Sequence, residues 1–64
     1  MTYQANTAAA KALGSIAFAS GKMGSPVMDA DFMETIKSRK VGDPRTIKEM
    51  KAWIAGWTQA SLAA

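Results

Sequence analysis

DPRTIKEMKAWIAGWTQASL, residues 43–62, is the stretch with the plainest structural meaning. Asp43 can accept the free amides of a helical first turn. Pro44 suits the first helical position, where a missing N–H costs nothing. Ile47, Met50, Ile54, Trp57 and Ser61 recur at three- and four-residue steps, and Trp53 and Ala60 widen that stripe. The spacing predicts a helix over about 44–62. Trp53 and Trp57 lie one turn apart, and indoles so placed serve a core, each burying roughly 150–250 Å². A chain this small is expected to bury at least one of them and to leave the other for an interface.

Upstream, Gly42 punctuates the chain. Before it, Phe32, Met33 and Ile36 give an apolar face to a short helix over about 29–40. Asp29 or Asp31 can cap that helix, and Asp31 with Glu34 has capping-box spacing. Lys37, Arg39 and Lys40 suit the negative end of its dipole. Gly24, Ser25 and Pro26 form a loop. A first helix is expected over about 4–20, capped by Asn6 or Thr7. Its narrow stripe comprises Leu13, Ile16, Ala17 and Ser20, with Ala9 and Ala10 a turn earlier. Gly21 follows, where a left-handed backbone ends a helix.

Composition agrees. Thirteen of the 64 residues are alanine against six valines and isoleucines, and no stretch alternates as a strand does. The expectation is an all-α, three-helix protein, one domain over 1–64, with two longer helices packed closely and a short one between them. Glycine inside a helix costs roughly 1 kcal/mol against alanine. Gly14 and Gly56 therefore imply backbones in close approach.

Chemistry is sparse. There is no cysteine or histidine, which removes disulfides, thiolate metal sites and the commonest general base. The carboxylates are Asp29, Asp31, Glu34, Asp43 and Glu49. The first three crowd one helix start, where capping explains them, and their spacing is not that of a calcium loop. Gly21-Lys22-Met23-Gly24-Ser25 lacks phosphate-loop spacing. No enzyme activity, metal or cofactor is expected. No window approaches the roughly 18 apolar residues of a membrane span. The first basic residue is Lys11, so no secretory leader is apparent, and the expected location is the cytoplasm.

Charge is uneven. Residues 1–36 carry a net −1, residues 37–51 a net +4, and the rest is neutral, giving +3 overall. Arg45, Lys48 and Lys51 form one helical ridge, which Lys37, Arg39 and Lys40 can join. Six such cations suit phosphates.

Trp53-Ile54-Ala55-Gly56-Trp57-Thr58-Gln59-Ala60 resembles the C-terminal signature of the ribosome modulation factor and CrpP-like family, a Trp-x-x-Gly-Trp-x-x-Ala unit. Gly14, Ala17, Gly21 and the basic Lys22 resemble that family's upstream motif, and Pro26 is similar to a proline that follows it. The resemblance covers residues 13–26 and 53–63. It implies a small helical fold in which Gly14, Ala17, Gly21, Trp53, Gly56, Trp57 and Ala60 hold the long helices together. It also implies binding to small-subunit ribosomal RNA and a role in inactive ribosome dimers. The CrpP group adds a proposed phosphotransferase activity, for which no phosphate loop is visible here. Ser15 stands where an aromatic is usual, Phe18 replaces a glycine, the basic N-terminal arm is missing, and a longer segment separates Pro26 from Trp53. Positive charge lies in that inserted segment, so RNA contact is expected at Lys37, Arg39, Lys40, Arg45, Lys48 and Lys51. The alternative is a small phage or mobile-element inhibitor of a host protein. A homodimer or a bound protein partner would add stability to so small a core.

Overall fold

The computed structural model describes residues 5–40 and 42–64. Within them lie α1 (Thr7–Ala19), a 3-10 turn (Pro26–Met28), α2 (Ala30–Ile36) and α3 (Pro44–Ala63). The protein is all-α, with the long third helix packed on the first. The two long helices run in the same direction. Asn6, just ahead of α1, meets Glu49 in the second turn of α3, while Phe18 and Lys22 at the far end meet Trp57. The segment between Lys22 and Asp43, with α2 inside it, is therefore the return leg.

Local chemistry sets the helix ends. The Asn6 side chain accepts from the Ala9 amide at 3.2 Å, starting α1 at Thr7; the expected beginning at residue 4 lies outside the described residues. At the other end the Lys22 amide donates to the Ala17 carbonyl (2.9 Å) and the Gly21 amide to that of Phe18 (3.0 Å). Those paired bonds need a left-handed residue between them, and Gly21 has φ +76°. Gly42 has φ +85° at the turn into α3. Asp43 caps α3 by accepting from the Arg45 amide at 2.9 Å.

The middle helix is shorter than the expected 29–40. Asp29 is its cap, accepting from the Asp31 amide at 3.0 Å. Asp31 is thus already inside the helix and forms no capping box with Glu34, which instead meets Lys37. After Ile36 the chain turns, with the Arg39 amide donating to the Ile36 carbonyl at 3.0 Å. This turn carries the Arg39 guanidinium that reaches Glu49.

The buried faces are rotated from the expected stripes. On α1 the buried residues are Ala10, Gly14 and Ala17, with Leu13 beside them; Ile16 is 57% exposed. On α3 they are Glu49, Trp53 and Gly56, whereas Ile47 and Ile54 are half exposed. The cause is steric. A Cβ on Gly14 would collide with the Trp53 carbonyl and lie 2.9 Å from the Trp57 nitrogen. One on Gly56 would collide with the Lys11 carbonyl oxygen and lie 2.9 Å from its carbon. Two backbones this close must turn their glycines inward, and the larger aliphatics rotate outward. The second Hα of each glycine points at the opposing carbonyl, a Cα–H···O arrangement. Ser15 adds a hydrogen bond, Oγ to the Gly56 carbonyl at 3.2 Å.

Trp53 and Phe32 are wholly buried and, with Ala10, Ala17 and Ile36, make the core. Burying a side chain such as Phe32 stabilises by about 1.5–3 kcal/mol.

Candidate nucleic-acid interface

The six cations expected at phosphates have different fates. Arg39 is the most committed. Its Nη1 donates to Glu49 Oε1 at 2.7 Å and lies 3.5 Å from Thr46 Oγ1. Glu49 is 2% exposed, and its other oxygen accepts from the Asn6 amide at 2.9 Å. One carboxylate thus ties the start of α1, the turn after α2 and the second turn of α3. Burial pushes the Glu49 carboxyl up, but the Arg39 bond and the Asn6 amide outweigh that, and its pKa lies below the ordinary value. Arg45 folds onto its own cap, with Nη2 2.6 Å from Asp43 Oδ2 and Nε 3.1 Å from Oδ1. Those bonds hold the Asp43 pKa down to about 2. Lys37 reaches Glu34 at 2.6 Å on the surface, where such a pair adds little.

Lys40, Lys48 and Lys51 are exposed. Lys40 borders an open hollow of about 740 Å³ at the junction of α2 with α3, also lined by Ser38, Arg39, Gly42 and Arg45. Lys48 and Lys51, three residues apart, share a ridge on the outer side of α3.

All five carboxylates take part in ion pairs: Asp29 and Asp31 with Lys22, Glu34 with Lys37, Asp43 with Arg45, Glu49 with Arg39. Four cations thus meet five anions, leaving that set at a net −1. Among the described residues Lys11, Lys40, Lys48 and Lys51 have no carboxylate at ion-pair distance, and these four supply the positive excess.

The residues expected to join the long helices fall into two groups. Gly14, Ala17, Trp53 and Gly56 meet at the crossing, with Trp57 and Ala60 partly buried beside it. Gly21 does not; it is exposed, with open space where a Cβ would stand, and its role is the helix end. Trp53 Nε1 donates to buried Asp29 Oδ2 at 2.8 Å. Burial raises the Asp29 carboxyl, yet this indole, the Asp31 amide and Lys22 lower it further, so its pKa is depressed. Trp57 Nε1 donates to the Lys22 carbonyl at 3.1 Å. The Trp57 ring takes the Phe18 ring edge-on (5.3 Å between centroids, 89° between planes), and a Cβ on Gly24 would lie 3.2 Å from it.

The sequence offers Asp29 as a helix cap, which it is, but not as the acceptor of the Trp53 N–H, and it shows Glu49 only as a charge. A signal for Glu49 existed: four residues before Trp53 and seven before Gly56, it shares their face. No family model matches the chain, and no curated protein or solved structure is significantly similar to it. No helix is long and apolar enough to cross a membrane, and no cluster of three metal-ligating side chains occurs, among the described residues.

Proposed function

We propose that the protein is an RNA-binding regulator that associates with the ribosome and contacts phosphates through Lys40, Lys48 and Lys51. One observation carries this reading. The internal ion pairs use every carboxylate and leave these exposed lysines unbalanced. Ammonium groups without internal partners release counterions from a nucleic acid when they meet its phosphates, which favours association. Arg39 and Arg45 belong to the scaffold in this reading, holding the junction that presents Lys40, while Lys37 is taken up by Glu34. The likeness of residues 53–60 to the ribosome modulation factor signature points to the same ligand.

Co-sedimentation with ribosomes tests it. Association at low salt that is lost as salt rises is expected; absence of association, or association indifferent to salt, contradicts it. A second reading, docking onto a protein, is favoured by Ile47 and Ile54, exposed by 51% and 45% on α3. Affinity capture with and without nuclease separates the two: a stoichiometric protein that survives nuclease supports the second.

A further inference from the structure

Proteins read bases with arginine forks, amide side chains and free aromatic faces. Among the described residues such groups are, apart from the exposed Gln59 amide on α3, largely committed to the fold. Both arginines are bound to carboxylates, Arg39 to Glu49 and Arg45 to Asp43. The Asn6 amide oxygen caps α1. Trp53 is wholly buried with its N–H on Asp29. Trp57 is held between Phe18 and Gly24, with its N–H on the Lys22 carbonyl. The outer side of α3 instead offers Lys48 and Lys51 beside Ile47 and Ile54.

A lysine ammonium is a compact point charge without a planar fork, so it senses charge density rather than base identity. Phosphates are denser along a double helix than along a single strand, and an A-form helix adds a wide, shallow minor groove read by shape. A helix of 20 residues, about 30 Å long, can lie along such a backbone. A single strand, by contrast, is gripped by stacking its bases on aromatic faces.

From this we infer that the RNA bound here is double-helical and is held through its phosphates, without preference for base sequence. The inference rests on the RNA-binding reading above and names the class of ligand within it.

Fluorescence anisotropy with the full chain tests it, using two 20-base-pair RNA duplexes of unrelated sequence and a 20-nucleotide oligouridine. The two duplexes are expected to bind within about twofold of each other, and oligouridine at least about tenfold more weakly. Three lysines on phosphates predict log K falling against log salt with a slope of about −3, and K48Q with K51Q together bring it to about −1. Both substitutions are on exposed side chains, so the helical circular dichroism should be unchanged. Oligouridine binding as tightly as duplex, or a tenfold difference between the duplexes, overturns the inference and leaves RNA binding intact. No binding to any of the three at low salt overturns both.

Discussion

The protein joins its long helices in two places by opposite means. At the crossing of Gly14 with Gly56 the contact is made by missing side chains: two backbones touch and little titrates. At the other end of the interface the contact is made by charge. Glu49 gathers the Asn6 amide and the Arg39 guanidinium from two other segments. The first region depends on shape and should be indifferent to pH. The second depends on ionisation, and buried ion pairs contribute only while complete. Placing both on one helix fixes its position along the chain and its rotation, and that rotation turns Lys48 and Lys51 outward.

Adding a methyl group at the crossing should do the most damage. Alanine normally strengthens a helix, yet Gly14→Ala or Gly56→Ala would drive Cβ into backbone, which cannot swing aside. We expect a net loss of about 3 kcal/mol or more, enough to abolish cooperative melting in a domain of this size. Thermal circular dichroism checks it; a melting temperature at or above that of the parent would mean that the helices are not this close.

Breaking the charged region comes next. Glu49→Leu leaves Arg39 partly buried and the Asn6 amide without an acceptor, at a cost of about 3 kcal/mol. Arg39→Met combined with Glu49→Leu should recover part of that loss, because the unpaired cation goes too. A double variant worse than the single in urea titration would deny the pair its role. Asp29→Ala, which strands the Trp53 N–H, should cost about 1–3 kcal/mol by the same measurement.

Acid should distinguish the regions without mutation. Glu49 and Asp29 have folded pKa values below their unfolded values of 4.5 and 3.8. Their contribution is therefore complete above about pH 5 and is lost as pH falls through the folded values. Asp43 is held at about 2 by its bonds to Arg45. Melting temperature should be flat from pH 8 to about 5 and drop below it. In the Glu49→Leu variant the drop should be smaller. The mildest change expected is Gly21→Ala, about 1 kcal/mol, because the cost is backbone strain with open space around it.

The two regions also differ in how far the amino-acid sequence discloses them. A glycine in mid-helix conflicts with helix propensity, so Gly14 and Gly56 announce a close approach before any coordinates. The three helices follow from caps and punctuation at Asn6, Gly21, Asp29, Gly42 and Asp43. The rotation of each helix does not follow, because Ile47 and Ile54 repeat as regularly as Trp53 and Gly56 do. Only the demand that both glycines face inward chooses between those faces. The ion pairs were less legible still. Glu49 lies among cations and reads as a surface charge, and Arg39 as one of a basic run. Their meeting depends on α2 stopping at Ile36, three-dimensional information that no local spacing carries.

The crossing is tested most directly by nuclear Overhauser spectroscopy on the isotope-labelled protein. Strong cross-peaks are expected from the Gly14 Hα protons to the Trp57 backbone amide and from the Gly56 Hα protons to Lys11. With those resonances assigned, the absence of both sets would contradict the arrangement of α1 against α3 described above.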